Sequence, residues 1–264
     1  MMNIAIYCVT YNSYNAAMNY LSSIDKTIDA EKVTLTVFLA DNTTKKSIDI
    51  KYKTEKFKLV VYKFNNVGYF GAIRKMMIKN DPTLYDYSII SNVDLFLDEN
   101  IFKSLTGITI TEKIGWIAPQ IFSLKEERDL NPAIINRYSP FKLKILKFSY
   151  KHPRILQLYK NVLYRNKKSH FVSYPRMNIY AGHGSFIILT KEYFKKCGII
   201  NYPVFLYDEE LYLGEECKRN GLKVIYIPSL KVFDCENVST SKLSSNFYCK
   251  CNIEGLTYII KNYY

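Results

Sequence analysis

Short apolar runs alternate with helical patterns through the first half of the chain. The runs Ile4–Val9, Val33–Leu39, Leu59–Tyr62 and Tyr87–Ile90 have the length and the β-branched content of buried strands. Between the first two runs, residues 15–24 place apolar side chains at helical spacing. Strands that alternate with helices predict βα units and a mainly parallel sheet. We therefore expect an α/β fold in which helices flank this sheet.

Regular patterns return after residue 184. Apolar runs of strand length again alternate with segments of helical length. Gly221 is a natural end point for the longer helix, because glycine adopts the left-handed conformation without strain. The predicted elements are a strand at 185–189, a helix at 191–196, a helix at 207–220, and two short strands at 222–227 and 230–233 around Pro228.

Polar clusters follow four of the predicted strands, at residues 10–13, 41–44, 65–68 and 91–94. Any one of these clusters alone is typical of a turn. The carboxyl ends of parallel strands share one edge of the sheet, and ligands of open α/β sheets bind at that edge. The sequence therefore predicts a single binding site assembled from four strand ends.

Two polar and acidic segments carry the candidate chemistry. Asn92 and Asp94 follow the fourth strand, where their oxygens can reach one hard cation. Mg²⁺ bound in this way typically uses one or two carboxylates together with substrate phosphates, and Mn²⁺ suits the same oxygen ligands. Glu209 and Glu210 begin a late helix, where the helix dipole favours their ionised form. Each segment alone also fits a structural role, an Asx turn for the first and ordinary first-turn acids for the second.

The net charge of +13 comes almost entirely from one stretch. Residues 130–191 contain twelve Lys and Arg and no Asp or Glu. Within residues 141–170, basic and apolar side chains interleave at helix-like spacing, interrupted by Pro153. This pattern fits an element that lies on an anionic membrane surface. It also fits a helical subdomain that packs its apolar side on the core and exposes its charges to water.

Cysteine use and hydropathy indicate the compartment. The six cysteines show no paired CxxC spacing, and the chain enters a strand-like run directly after its first residues. We therefore expect reduced thiols and no secretory leader. No segment approaches the roughly 18 uninterrupted apolar residues of a membrane span. The predicted location is cytoplasmic, at most peripheral on the inner face of the cell membrane.

The order of these motifs resembles the family-2 glycosyltransferases, above all those that build bacterial capsules, O-antigens and exopolysaccharides. The resemblance extends from residue 4 to about residue 240. It implies one GT-A domain over residues 1–264, with a mixed, mainly parallel sheet and a basic helical insertion. The segments that carry the resemblance are Tyr7–Asn12, Ala40–Asn42, Asn66–Ala72, Ser91–Asp94, Tyr180–Phe186 and Phe205–Glu210.

The resemblance divides the domain into three parts. Residues 1–129 correspond to a nucleotide-sugar-binding half, and residues 181–264 to an acceptor and catalytic half with C-terminal helices. Residues 130–180 form the basic insertion, a candidate membrane-proximal element. The donor is expected to be a nucleoside-diphosphate sugar, UDP or dTDP rather than GDP. The expected acceptor is a glycan or a polyprenyl-linked glycan.

The resemblance also implies roles for individual residues. Glu210 aligns with the base that deprotonates the acceptor hydroxyl, and Glu209 is its acidic neighbour. Asp94 is implied to bind Mn²⁺ or Mg²⁺, and Gly182 and His183 to lie near the acceptor. His183, between two glycines, fits a histidine that caps a turn equally well. The residues implied to bind the nucleotide sugar are Thr10, Asn12, Asp41, Asn66, Gly68, Asn92 and Asp94.

Two positions depart from the family pattern. Asp234 stands where relatives usually carry a histidine that helps to bind metal or diphosphate. Aspartate also ligates Mg²⁺ or Mn²⁺, but it adds negative charge beside the diphosphate. Arg74 stands where relatives often have asparagine, and a guanidinium directed at the phosphates would offset that charge. The predicted metal ligands are therefore Asp94 and Asp234, and Arg74 joins the predicted donor site.

Two other functions stay open at this level. Sugar nucleotidyltransferases share a related sheet but use a glycine-rich basic loop after the first strand, whereas residues 10–13 contain no Gly, Lys or Arg. A non-catalytic polyanion-binding protein would use the basic stretch. Because the charge is confined to one segment and no recognised nucleic-acid motif is present, we expect no nucleic-acid partner.

Overall fold

The computed structural model describes residues 1–29, 31–44, 49–111, 113–152, 154–157, 174–235 and 245–264. Within these residues the strands form one ten-stranded sheet. Numbered in chain order, the strands are β1 Met2–Thr10, β2 Val33–Asp41, β3 Lys58–Lys63, β4 Tyr87–Asn92, β5 Leu95–Leu97, β6 Ile114–Ser123, β7 Arg128–Asp129, β8 Met177–Ile179, β9 Phe186–Thr190 and β10 Lys223–Asp234.

Helices cover both faces of this sheet. The first helix shows why they pack there, because Ala17, Leu21 and Ile24 recur at helical spacing and are fully buried. A short 3₁₀ turn, Pro82–Leu84, precedes β4. The helices are α1 Tyr14–Thr27, α2 Tyr69–Lys79, α3 Ile101–Thr106, α4 Pro140–Lys151, α5 Lys191–Cys197, α6 Glu209–Arg219 and α7 Ser245–Tyr263.

The sheet is mixed, with its long ladders parallel. Its main order is β3-β2-β1-β4-β9-β6-β10-β5, while β7 pairs with β6 and β8 with β10. Strands β1 to β4 pair in parallel, β9 inserts antiparallel between β4 and β6, and β6 runs parallel to β10. Thr10 pairs with Asp41, and Val9 pairs with Asn92. The carboxyl ends of β1, β2 and β4 therefore finish at one edge, as the sequence predicts.

The hydrophobic core has two layers, one on each face of the sheet. Side chains of β1 alternate between them, with Ile4 and Ile6 in one layer and Ala5 and Tyr7 in the other. Helices α1 and α3 pack in the first layer, and α2, α5, α6 and α7 pack in the second. The predicted α/β class with a helix-flanked sheet is confirmed.

Two predicted elements differ from those observed. The helix predicted from residue 207 begins at Glu209, because Tyr207 and Asp208 adopt left-handed backbone angles with φ of 75° and 63°. The two strands predicted around Pro228 are one continuous strand, β10. Its pairing with β6 shifts register between Ile227 and Lys231, and this irregularity accommodates a proline that has no N–H to donate.

The predicted helical character of the basic stretch is confirmed over α4. Ser139 caps this helix by accepting a hydrogen bond from the Lys142 N–H at 3.2 Å, and Pro140 occupies its first turn. The predicted break at Pro153 and the basic residues of 158–173 lie outside the described residues. In the part of the chain that is described, every helix is too short or too polar to cross a bilayer.

Candidate active site

A cavity of about 720 Å³ opens where β1, β2 and β4 end. Its volume is within the range of small-molecule sites. One wall comes from the strand ends, and the other comes from residues 205–210 and the start of α7. Of the residues predicted from sequence, those on the cavity are Asn66, Gly68, Asn92, Asp94, His183, Glu209 and Glu210. Asp94 and Glu210 thus face one shared space.

Asp94 lies just past β4, and Asp234 ends β10 beside it. The Cys235 N–H donates a hydrogen bond to the Asp94 carbonyl oxygen at 3.3 Å, and Asp234 pairs with Leu95 across the β10–β5 ladder. Burial, followed by the charges of Asp234 and Asp94, raises the pKa of the Cys235 thiol. Both carboxylates therefore lie close to the same group.

Asp94 lines the cavity and Asp234 lies beside it in the fold, and carboxylate oxygens are ligands that hard divalent cations prefer. Among the described residues, no group of three or more His, Cys, Asp or Glu side chains could hold a metal by itself. Two carboxylates are nevertheless sufficient for Mg²⁺ or Mn²⁺ when substrate phosphates and water complete the coordination. Asp94 and Asp234 therefore suit a metal that arrives with a phosphorylated ligand.

Gly68 joins the two walls of the cavity. It adopts φ +80°, and a Cβ at this position would lie 2.2 Å from the Phe205 carbonyl oxygen. That same oxygen accepts a hydrogen bond from the Tyr69 N–H at 3.2 Å. On the other side, Asn42 Nδ2 donates to the Gly68 carbonyl oxygen at 3.1 Å. Only glycine permits this approach of backbone to backbone.

Gly184 positions the carboxylate of Glu210. The Gly184 N–H donates a hydrogen bond to Glu210 Oε1 at 3.0 Å. A Cβ on Gly184 would lie 2.6 Å from that oxygen, so a side chain at residue 184 would displace it. The neighbouring His183 lines the cavity, and its Nδ1 is 2.9 Å from the Ser185 hydroxyl. The loop 182–185 therefore holds Glu210 in place by a backbone contact.

Burial raises the pKa values of Asp208 and Glu209, the two acidic residues that precede Glu210. Asp208 Oδ2 and Glu209 Oε1 are buried, with no hydrogen-bond partner among the described residues. Burial, and then the charge of Glu210, raises the pKa of Asp208 to about 8 and also raises the pKa of Glu209. At Glu209, burial therefore opposes the helix dipole, which favours the ionised form.

Tyr69 lies between the acidic groups of the two walls. Its hydroxyl is 3.5 Å from the Gly184 carbonyl oxygen. Burial raises the pKa of Tyr69 well above its usual value, and the charges of Glu209 and Asp94 add to this shift. The charge of Glu209 in one wall and the charge of Asp94 in the other therefore both raise the pKa of the Tyr69 phenol.

Several residues on the cavity had no role predicted from the sequence. Asn42 and Tyr69 lie one residue beyond Asp41 and Gly68, the positions that the resemblance singles out. Phe247, which packs edge-on against Phe205 with ring centroids 5.8 Å apart, lies in α7, far from every motif. No local pattern could have identified Phe247, because only the folded chain brings it to the cavity.

The remaining predicted residues lie around the cavity rather than on it. Thr10 is buried and donates to the Ser13 carbonyl, and Asp41 Oδ1 accepts from the Thr43 N–H. The Asn12 N–H donates to the Thr43 hydroxyl. Gly182 packs against Ala118 and Trp116, which explains its missing side chain. The predicted residues outside the cavity lining are Thr10, Asn12, Asp41, the exposed Arg74, Gly182 and Asp234.

Comparisons with known proteins identify the fold. No protein-family model matches the chain, and no curated protein matches it either. Among solved structures, S. aureus TarS 1–349 in complex with UDP-GlcNAc is 12% identical with a TM-score of 0.61, over 99% of this chain and 67% of that one. A second TarS 1–349 structure gives 12% identity and a TM-score of 0.57, over 89% of this chain.

GalNAc-T7 with UDP, GalNAc and Mn²⁺ is also similar, with 12% identity and a TM-score of 0.64 over 99% of this chain. The chain spans 60% of the second TarS 1–349 structure and 48% of GalNAc-T7. Sequence identities of 12% establish the fold, and the function has to be inferred from the residues of the site. The chain has the GT-A fold of these glycosyltransferases, as the sequence resemblance predicted.

Proposed function

We propose that this chain is an inverting, metal-assisted glycosyltransferase of the family-2 type. It moves a sugar from a nucleoside-diphosphate donor to a glycan or polyprenyl-linked glycan in bacterial surface polysaccharide synthesis. A UDP or dTDP donor is favoured over GDP, since TarS and GalNAc-T7 were solved with UDP-GlcNAc and with UDP and GalNAc. The observation that carries the proposal is the shared cavity, with Asp94 on one wall and Glu210 on the other.

Glu210 is the proposed base. The acceptor hydroxyl attacks the anomeric carbon, a new C–O bond forms, and the bond to the diphosphate oxygen breaks with its electron pair leaving on the diphosphate. The hydroxyl proton passes to the Glu210 carboxylate, which the Gly184 N–H orients. Attack from the side opposite the leaving group inverts the anomeric configuration. Glu209, whose pKa is raised by burial, is the acidic neighbour of this base.

Asp94 and Asp234 are the residues proposed to hold Mn²⁺ or Mg²⁺. A bound cation would neutralise negative charge that develops on the departing diphosphate. The Mn²⁺ in the GalNAc-T7 structure supports this choice of ion. The predicted compensation by Arg74 is not part of the proposal, because the Arg74 side chain is exposed on α2, whereas Asp234 is buried beside Asp94.

We propose a cytoplasmic location for the reaction. All six cysteines are free, and four of them, Cys8, Cys217, Cys249 and Cys251, are buried. Free thiols throughout the chain are typical of a reducing compartment.

Two substitutions test the proposed chemistry. Glu210→Gln keeps the shape of the side chain but cannot accept the proton, so we expect transfer to fall by about 10²–10⁴-fold. Its donor-induced rise in melting temperature should persist, because the base does not hold the donor. Asp94→Asn should lose the Mn²⁺-dependent part of that rise. Nucleoside diphosphate release and thermal shift with a panel of nucleotide sugars measure both effects.

The exposed Glu254 of α7 provides the matched control, Glu254→Gln, which should behave as the wild-type protein. Full transfer in both Glu210→Gln and Asp94→Asn would overturn the proposed roles. Release of pyrophosphate from a nucleoside triphosphate and a sugar phosphate would replace the proposal with a nucleotidyltransferase.

A further inference from the structure

Helix α4 carries an apolar stripe on the side that faces away from the core. Phe141, Ile145 and Phe148 are 73%, 44% and 54% exposed, and their spacing places them on one face of the helix. The opposite face packs inward against α7, with Leu143 fully buried. Scattered exposed apolar residues are ordinary, but a contiguous stripe of large side chains indicates a binding surface.

Basic side chains run along both edges of this stripe. Lys144 and Lys151 are exposed on one edge, with Lys147 beyond them. On the other edge, Lys142 Nζ lies 3.5 Å from the centre of the Tyr138 ring. No acidic residue occurs between positions 130 and 191 to offset these charges along the chain. A helix with an apolar stripe between basic edges matches the surface of an anionic bilayer, which combines an acyl boundary with negative headgroups.

Packed tyrosines connect α4 to the cavity. The Tyr150 hydroxyl is 3.4 Å from the Tyr248 hydroxyl, and their ring centroids are 5.7 Å apart. The Tyr248 ring in turn packs edge-on against Tyr207 at 5.0 Å, and Tyr207 lines the cavity. The basic helix is therefore one aromatic layer away from the wall that contains Glu209 and Glu210.

We propose that α4 docks the protein on an anionic lipid bilayer. Phe141, Ile145 and Phe148 enter the boundary between headgroups and acyl chains, and the flanking lysines contact lipid phosphates. Docking through this stripe places α4 between the bilayer and the aromatic wall of the cavity, because Tyr150, which leads to that wall, lies on the opposite face of α4. The docking itself does not depend on the proposed transfer reaction.

Flotation of the full chain with vesicles tests the proposal. We expect the wild-type protein to float with phosphatidylglycerol-containing vesicles and to remain unbound with pure phosphatidylcholine. Each lysine near an anionic surface contributes about fivefold in binding, so Lys144→Gln/Lys147→Gln/Lys151→Gln should bind roughly 100-fold more weakly. Phe141→Ser/Ile145→Ser/Phe148→Ser should bind the vesicles at least about tenfold more weakly, since it removes the apolar side chains that would enter the bilayer.

Matched variants elsewhere on the surface control for general effects. Ile78→Ser/Leu84→Ser/Leu124→Ser removes three apolar side chains that are 60%, 68% and 53% exposed but lie outside α4. Lys51→Gln/Lys53→Gln/Lys58→Gln removes the same charge from another exposed region. Both variants should float as the wild-type protein does. Circular dichroism and melting temperature establish that every variant is folded.

Four results would overturn the proposal. The first is a wild-type protein that does not bind anionic vesicles, and the second is equal loss in the α4 variants and their matched controls. The third is a dimer, detected by sedimentation velocity, that dissociates in the Phe141/Ile145/Phe148 variant while vesicle binding is absent. Oligonucleotide binding that is lost only in the lysine variant, again without vesicle binding, would assign the surface to nucleic acid instead.

Discussion

The two walls of the cavity are built in different ways. The sheet-edge wall consists of residues at or just past strand ends, such as Asn92, which ends β4, and Asp94. The opposite wall consists of an irregular segment, 205–208, the first turn of α6, and Phe247 of α7. The first wall follows from local sequence order, because parallel strands end together. The second wall depends on contacts between segments that are distant in sequence.

Three close contacts hold the two walls together. Gly68 packs on the Phe205 backbone, Gly184 donates to Glu210, and Tyr69 lies near carboxylates of both walls. Two of these contacts involve glycines whose missing side chains are required by a neighbour. The position of the Glu210 carboxylate therefore depends on glycines outside its own helix. Substitutions at these glycines can lower activity while the protein still folds.

The largest effect on these contacts is expected for Gly184→Ala. The added Cβ would lie 2.6 Å from Glu210 Oε1, so the carboxylate must move. The atom that moves is the end of a flexible side chain, and the backbone at Gly184 is not in the left-handed region. We therefore expect kcat to fall by about 100-fold, the cost of misplacing a catalytic group by roughly 1 Å. The melting temperature should change little.

Gly107→Ala is the matched control for this substitution. Its Cβ would meet the Ser104 carbonyl oxygen at 3.6 Å, an ordinary contact, and Gly107 lies outside the cavity lining. Nucleoside diphosphate release and thermal unfolding are measured for both variants. Normal kcat in Gly184→Ala would show that the position of the Glu210 carboxylate does not matter.

The sequence predicts the sheet-edge wall well. Apolar runs mark β1 to β4, and the polar residues after them meet at one edge because the ladders are parallel. Asp94, Asn66 and Gly68, which follow these strands, all line the cavity. Thr10 and Asp41 lie at the same edge but direct their hydrogen bonds into local turns. Strand periodicity locates a residue at an edge, but it does not say which neighbour its side chain contacts.

The sequence predicts the opposite wall only in part. It identifies Glu209 and Glu210 as acids at a helix start, yet the helix begins two residues later than its apolar pattern indicates. The reason lies outside the segment, because Tyr202 Oη donates to the Tyr207 carbonyl at 2.9 Å and Asp208 packs on Gly255 of α7. Burial also raises the pKa of Glu209, against the effect expected of the helix dipole. Tertiary contacts of this kind leave no trace in local periodicity.

A smaller effect is expected for Tyr69→Phe, which tests the contact between the walls. Tyr69 lines the cavity and its O–H points to the Gly184 carbonyl, so the phenol oxygen can accept a hydrogen bond from a bound sugar. Loss of one such bond should lower kcat/KM by about three- to tenfold without loss of stability. Tyr62→Phe is the control, since its hydroxyl accepts from Asn80 Nδ2 at 2.9 Å outside the cavity lining. Equal losses in both variants would assign the effect to stability rather than to the site.

The smallest effect is expected for Asp208→Asn, a substitution on the buried side of the opposite wall. Burial raises the pKa of Asp208 from its ordinary value of 3.8 to about 8. Between these values the folded protein holds the proton more strongly than the unfolded chain, so stability falls as pH rises through this window. Asp208→Asn carries no charge, and asparagine tolerates the left-handed backbone at this position. It should therefore melt a few degrees higher than the wild-type protein at about pH 8, since each kcal/mol corresponds to roughly 2–4 °C.

Asp81→Asn provides a control of opposite sign. Hydrogen bonds from the Thr83 N–H and hydroxyl lower the pKa of Asp81, so its charged form favours the fold. That contribution is present above the unfolded pKa and is lost as pH falls through the folded value. Asp81→Asn should therefore not raise the melting temperature at about pH 8, whereas Asp208→Asn should. Melting curves of the two variants and the wild-type protein from about pH 4 to about pH 8 measure both effects. If Asp208→Asn melts at the same temperature as the wild-type protein across that range, water reaches Asp208 and α7 does not shield this side chain from solvent.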